Sequence, residues 1–486
     1  MKITTIDSLQ NNGSTPPSPA LARERRRFGR VEGFVALVTV VHAYFATSLI
    51  GAGSVVWGPT INTDFLLNPA LDGAELALMD INAETVGLVK RYLDHLIAER
   101  GFTKTITATT DLAEALRDAD YVLTAISVGG DHLWRYDAIF PQVYGIFQPV
   151  GDTVGPGGLM RALRHTAPLV RIAQTMREVS TPGAPLIQLT NPMNPLCGAL
   201  ERLDGVPIYG VCHGVNDTEW IVTKQLGVPW DQVHIKAAGN NHNIFCTEVR
   251  VGDHSYTQDM FDELAPLVFD TPFRAEVYRR YDGLVGNFSR HPIEFLPDFL
   301  TPESRYGQTW GVQPIPDEIN PIHGKRQESA RAVLEMVLAQ REPLAWRADR
   351  DYHSLALNTM GRPEVGHTRE ILDDFIAALE HHDDFFIHLN VANHGAIIGV
   401  DDAYNVEIPV EFKKGVLTRQ VVRFNDVITQ ELDRVGKEQH LLARACIEGD
   451  EEALVEALTM DTLVPSWDVA ARLIREMRAF EDAYIQ

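Results

Sequence analysis

The feature that most constrains this chain is a strand that runs directly into a glycine turn and then a helix. Residues 44–50 read as an apolar strand, Gly51-Ala52-Gly53 as a tight turn, and 54–68 as a helix. A second strand follows at 75–79 and ends on Asp80. A strand, a crossover helix and a second strand form a unit that pairs in parallel and buries both faces. The pattern then repeats. Helices are expected at 83–99, 111–118 and 162–180, and strands at 121–127, 185–189 and 206–210. In 83–99 the apolar residues Val86, Leu88, Val89, Leu93 and Ile97 fall at helical spacing. Such alternation predicts an α/β fold with a doubly wound parallel sheet.

The second half is less regular. Strands are expected near 233–250 and 385–397, and helices near 272–282, 325–340, 368–382, 415–435 and 450–482. This divides the chain into an N-terminal extension (1–43), a nucleotide-binding domain (44–215) and a C-terminal α+β domain (216–486). Residues 1–20 are rich in Ser, Pro, Thr and Asn, a composition that cannot bury a core. The basic run Arg23-Glu24-Arg25-Arg26-Arg27 precedes an uncharged stretch from Gly33 to Gly58, which also reads as a membrane anchor. The competing reading makes 44–50 the first strand of the sheet. Removing it would strip the glycine turn of its support, so 1–43 is taken as an extension without catalytic parts.

The glycine turn carries the first chemistry. Glycines at 51 and 53 let the backbone approach a pyrophosphate, and the helix behind offers free N–H groups. Asp80 stands at the end of the second strand, where an acidic residue binds the adenosine ribose. The third glycine of the usual pattern is absent, with Val56 in its place. Composition narrows the partners. Asp and Glu number 66 against 43 Lys and Arg, a net charge of −23. Such a field repels phosphate backbones and excludes nucleic acid as an expected partner. The 4 cysteines do not make a disulfide framework and fit a reducing cytoplasm.

Polar residues gather in loops after strands, where α/β sheets place their sites. These are Val128-Gly129-Gly130, Thr190-Asn191-Pro192 and Val211-Cys212-His213-Gly214. The segment from Gly151 to Gly158 has more glycine and proline than a connector needs and reads as a ligand loop. Cys212 and His242 could form a metal pair, since thiolate and imidazole suit zinc, or manganese when oxygens complete the shell. A core thiol and a loop histidine remain the alternative.

Ile50-Gly51-Ala52-Gly53-Ser54-Val55-Val56, Leu78-Met79-Asp80-Ile81, Asp118-Ala119-Asp120-Tyr121-Val122 and Val128-Gly129-Gly130 together resemble glycoside hydrolase family 4. So do the run from Val150 to Leu163, Thr190-Asn191-Pro192-Met193, Gly210-Val211-Cys212-His213-Gly214 and Asn241-His242. The resemblance continues through Asn390-Val391-Ala392-Asn393-His394-Gly395 and Glu407-Ile408-Pro409-Val410. It implies a Rossmann-like, lactate-dehydrogenase-like fold with an added α+β domain, assembled as a homodimer or homotetramer. It also implies NAD and Mn²⁺ as cofactors, a small glycoside as substrate, and a chemistry outside the usual two-carboxylate scheme. NAD⁺ oxidises C3 of the sugar, the C2 proton becomes acidic, the C1 oxygen is eliminated, water adds and the hydride returns.

The resemblance implies roles residue by residue. Cys212 and His242 match the metal ligands, and His213 the acid for the leaving group. Asp152 and Asn191 match residues that touch sugar and nicotinamide, and Gly51, Gly53, Ser54 and Asp80 fall in the NAD region. Ser289 stands where the family has its C2 base, Asp or Tyr. Tyr281 or His291 could substitute, with loss of the base as the alternative. His213-Gly214 after the cysteine resembles branches acting on unphosphorylated sugars. Arg290-His291 resembles the uronidase branch, where a basic group would pair with a sugar carboxylate. Two other readings stand beside this one: an NAD-dependent 2-hydroxy-acid dehydrogenase and a noncatalytic NAD-binding homologue.

Overall fold

A computed structural model of the chain describes residues 45–312, 319–339, 343–348, 350, 354–357 and 360–485. The extension 1–43 lies outside the described residues; of the stretch from Gly33 to Gly58 that also reads as a membrane anchor, the described part, from 45 on, forms a strand, a turn and the start of a helix. Among those described, no helix is long and apolar enough to cross a membrane.

Six strands form the parallel half: β1 (Ala46–Ile50), β2 (Glu75–Met79), β3 (Thr105–Thr109), β4 (Tyr121–Thr124), β5 (Leu186–Gln188) and β6 (Ile208–Gly210). Their spatial order is β3-β2-β1-β4-β5-β6. This is the order of a dinucleotide-binding sheet, with the switch point between β1 and β4. Both faces are covered, and successive strand residues serve opposite faces. Leu123 and Ile187 join Ile61, Phe65, Val89 and Tyr92 of the helices Trp57–Leu67 and Ala83–Arg100. Val122 and Leu186 join Leu169, Ile172, Met176 and Leu196 of the helices Gly155–Val179 and Met193–Leu200. Strand β3 was not expected. Its sequence, Thr-Ile-Thr-Ala-Thr, sits at the edge and buries only Ile106, so it lacks the apolar run that marks an inner strand.

The sheet does not stop at β6. The remaining large-sheet strands are β7 (Val233–Asn240), β8 (Asn243–Val251), β9 (His254–Thr257), β13 (Phe385–Ala392), β14 (Asn405–Lys413) and β15 (Val416–Arg419). A separate small sheet holds β10 (Ala345–Trp346), β11 (Leu355–Leu357) and β12 (Pro363–Val365). Beyond β6 the order continues β13-β14-β7-β8-β9, all antiparallel, with β15 paired to β14. Strand β13 thus joins the two halves, opposing Asn390 to Gly210.

Several expected boundaries shift for local reasons. The strand expected across 233–250 is a hairpin, because Asn241-His242 turns the chain between β7 and β8. The helix expected at 162–180 starts at Gly155, so half of the glycine-rich segment is its first turn. The helix expected at 415–435 is strand β15 followed by the helix Asp426–Glu448, capped by Asn425. The 450–482 helix is two, Glu451–Met460 and Trp467–Ile485, interrupted ahead of Pro465. These last helices pack on the helix Gly155–Val179 through Leu159, Met160, Leu441, Leu454 and Leu473.

Candidate active site

The turn after β1 is built for close approach. Gly51 has φ 93°, and a Cβ there would lie 2.3 Å from the Ala125 carbonyl oxygen. A Cβ on Gly53 would lie 2.5 Å from Asp80 Cγ. The Gly53 N–H donates to Asp80 Oδ2 at 2.9 Å, and Asn82 N–H donates to Oδ1 at 2.9 Å. Asp80 therefore locks the turn first, and the spare lone pairs of both oxygens remain for a ribose. Ser54 Oγ accepts from Trp57 N–H at 3.1 Å and opens the helix. The missing third glycine has a substitute that the spacing hides. Gly58, within the helix, would carry a Cβ 2.3 Å from the Ala52 carbonyl oxygen, so its absence of side chain lets the helix press on the turn. Backbone cradle, acidic residue and helix end fit a dinucleotide.

The second group forms where three loops meet. Asp152 precedes the helix Gly155–Val179, His242 sits at the tip of the β7–β8 hairpin with φ 68°, and His291 opens a short 3₁₀ turn. A ligand atom from each lies within 4.8 Å of the other two. Thr153 Oγ1 lies 2.8 Å from His242 Nδ1, and Ser289 Oγ lies 2.8 Å from His291 Nδ1. Both rings thus have their Nδ1 occupied and their Nε2 left for chemistry. His291 Nε2 is 3.5 Å from Asp152 Oδ1, and the two imidazole centroids are 3.9 Å apart. Asn191 Nδ2 reaches Asp152 Oδ2 at 3.5 Å, and its own Oδ1 is buried without a partner. Burial alone would raise the Asp152 carboxyl. The His291 side chain and the Arg161 guanidinium outweigh that and hold it well below the usual range. Burial, with His291 beside it, pushes His242 far down, so its ring is neutral.

Cys212 ends the loop after β6. Its Sγ accepts from Gly214 N–H at 3.4 Å. Burial pushes the thiol up and Glu407 adds to it, while Gly214 N–H and the neighbouring Asn241 amide oppose. Asn241 is the residue before His242, and its Nδ2 donates to Glu407 Oε2 at 2.8 Å. Asn241 Oδ1 and Glu407 Oε1 are buried without partners. A thiol and a neutral imidazole are donors that suit a divalent cation, but the ligand atoms that converge here within 4.8 Å are those of Asp152, His242 and His291, and Cys212 is not among them. His213 caps the helix Gly214–Leu226, with Nδ1 3.4 Å from Glu370 Oε1 and Nε2 3.5 Å from Asp217 Oδ2. Burial opposes its charge, but these two carboxylates outweigh it and raise its pKa.

The structure does not bring every expected residue here. Tyr281 ends the helix Pro272–Tyr281, with its ring 6.0 Å from Phe245 and its carbonyl accepting from Asn425 Nδ2. Burial raises its hydroxyl, and none of these neighbours belongs to the Asp152 group. Arg290 is half-buried, beside His291, and makes no hydrogen bond or ion pair among the described residues. Sequence reasoning missed Glu370, Thr153 and Arg161. Thr153 lay inside the flagged glycine segment; Glu370 stands in an unremarkable loop and offered no signal.

The chain matches the description of family 4 glycosyl hydrolases over residues 47–228 and that of their C-terminal domain over residues 237–464. An alpha-galactosidase of Rhizobium meliloti is 26% identical over 442 residues, covering 87% of this chain and 84% of that protein. An alpha-galacturonidase of Thermoanaerobacterium saccharolyticum is 26% identical over 462 residues, covering 88% and 94%. The structure of a 6-phospho-beta glucosidase from Thermotoga maritima with manganese, NAD⁺ and glucose-6-phosphate shares the fold. It superposes with a TM-score of 0.72 at 20% identity over 90% of this chain and 99% of that one. Matched along nearly all of its described length, this chain belongs to glycosyl hydrolase family 4.

Proposed function

We propose that the chain is an NAD- and divalent-metal-dependent glycosidase acting on an unphosphorylated galactoside-type sugar or its uronide. The observation that carries this reading is the convergence of Asp152, His242 and His291 within 4.8 Å, beside Asn191. Relatives named alpha-galactosidase and alpha-galacturonidase support the sugar class, and the Thermotoga maritima structure with manganese and NAD⁺ supports the cofactors.

Gly51, Gly53, Ser54 and Asp80 would hold the dinucleotide, and Cys212 and His242 the cation. When bound, they supply reversible oxidation at C3 of the sugar and polarisation of the adjoining oxygens, which makes the C2 proton acidic. The rest falls to the protein. Asp152, ionised at neutral pH, and Asn191 orient the sugar hydroxyls. His291 accepts the C2 proton at Nε2, with Ser289 fixing its Nδ1. The structure supports His291 over Tyr281 because only His291 stands beside Asp152 and His242. His213, whose proton Glu370 and Asp217 favour, donates to the glycosidic oxygen as the C1–O bond breaks.

A screen of nitrophenyl galactosides and galacturonides tests this, with NAD⁺, Mn²⁺ and reductant omitted in turn. Turnover should need both cofactors, and substrate deuterated at C2 should react more slowly. Full activity after chelation and removal of NAD⁺ would overturn the reading.

A further inference from the structure

The helix Gly155–Val179 carries two buried arginines with opposite circumstances. Arg164 is fully engaged: its guanidinium meets Asp137 and Glu481, and its Nε donates to the Val128 carbonyl at 3.1 Å. Arg161, one turn earlier, is only 7% exposed. Its Nε and Nη1 are buried with no partner, and its side chain makes no hydrogen bond among the described residues. A buried guanidinium without hydrogen-bond acceptors is costly, since nearby carboxylates and an aromatic ring do not replace the hydrogen bonds it made to water.

Its surroundings place it at the candidate active site. Gly157 and Gly158 press against Gly151 and Thr153, where added Cβ atoms would lie 2.5 and 2.6 Å from backbone. Arg161 follows these glycines by four and three residues, so it lies on the helix face that looks at the Asp152 loop. Trp134 closes the other side. Arg161 Cζ is 5.7 Å from its ring centroid, and the indole N–H donates to the Val150 carbonyl at 2.8 Å. Asp152 does not pair with the arginine, because its oxygens are taken by Thr153, His291 and Asn191. The glycine turn that would receive a pyrophosphate belongs to β1, whereas Arg161 stands beside the Asp152 loop.

We propose that Arg161 receives an anionic substituent of the substrate sugar, the carboxylate of a uronide. A planar guanidinium matches a carboxylate in shape and charge. With Asp152 and Asp137 already near this stretch of helix, a singly charged group fits better than a phosphate dianion. The assignment rests on the glycosidase reading and sharpens its substrate.

The test is calorimetric titration of the protein loaded with NAD⁺ and Mn²⁺, using D-galacturonate, D-galactose 6-phosphate and D-galactose. The wild type should bind galacturonate at least about tenfold more tightly than galactose. Arg161→Gln should lower galacturonate affinity by about 100-fold and erase that preference, as expected on removing one partner of a buried charge pair. Arg161→Lys should keep part of it, which covers a failure of the glutamine variant to fold. Arg290→Gln should cost less, since that side chain is half exposed. No preference in the wild type, or a preference that survives both Arg161 variants, overturns the proposal; survival is also what direct contact between carboxylate and metal would give. Tighter binding of galactose 6-phosphate overturns the carboxylate assignment. The glycoside screen fails separately: absent turnover refutes the glycosidase, whereas turnover without Arg161-dependent preference refutes only this role.

Discussion

The two halves of the large sheet contribute to the site in different ways. The parallel half works with backbone. Its turn after β1 is defined by what glycine lacks, and Asp80 serves first as an acceptor for N–H groups of that turn. The antiparallel half works with side chains. It brings His242 on a hairpin tip, Glu407 on β14 and Asn390 on β13 to the ends of β5 and β6. A parallel sheet connects through helices and exposes loops only at strand ends. A hairpin can push a single residue into the crevice those loops leave. The comparison teaches that the glycine turn is separable from the side-chain cluster, to which the antiparallel half adds His242 and the parallel half adds Asp152, Asn191, Cys212 and His213.

The largest expected effects separate the glycine turn from the expected cation ligands. Gly53→Val should abolish NAD⁺ binding measured by calorimetry while Mn²⁺ binding, followed by electron paramagnetic resonance, persists. Cys212→Ala and His242→Ala should do the reverse, with turnover falling to the level of chelated enzyme. Loss of both NAD⁺ and Mn²⁺ binding in any one variant would show that the turn and the cation ligands are one coupled site. Next comes the base. His291→Ala should lower kcat by about 10²–10⁴. Tyr281→Phe and Ser289→Ala should cost far less; equal losses at Tyr281 and His291 would move the base out of the Asp152 group. Glu370→Gln removes one carboxylate from His213 and should cost roughly 10-fold in kcat, the lower range for groups that orient a functional residue. The smallest effect concerns the seam. His388 on β13 is buried, accepts from Ala237 N–H at 3.2 Å, and burial lowers its pKa to about 3. The unfolded chain binds this proton near pH 6.5. Stability from the neutral ring is therefore full above that pH and is lost as pH falls toward 3. His388→Gln should flatten the urea midpoint against pH across that window, and an unchanged slope would assign acid sensitivity elsewhere.

The halves also differ in how much of each was legible. β2 and the helix 83–100 declared themselves through apolar spacing and a terminal acid. β3 did not, because an edge strand of threonines carries no inner-strand pattern. In the antiparallel half, β14 went unrecognised as a strand although Glu407-Ile408-Pro409-Val410 had been noted. Its central residues are all buried, and buried runs of this length do not distinguish strand from helix. Within the site, residues in strand-end loops were legible because topology predicts where they go. Glu370 and Arg161 were not. Their importance comes from what they face, or fail to face, across contacts between segments far apart in sequence.

The seam between β6 and β13 has a consequence for how the protein is made. Gly210 finds its partner strand only when residues 385–392 have left the ribosome. At 5–20 residues per second, that delay is roughly 9–35 s. During it the growing chain presents the open edge of β6, a template for pairing with other nascent chains. Truncations ending between the two family segments should aggregate rather than yield a free nucleotide-binding module. Chaperone demand should peak at intermediate nascent-chain lengths and collapse once β13 docks.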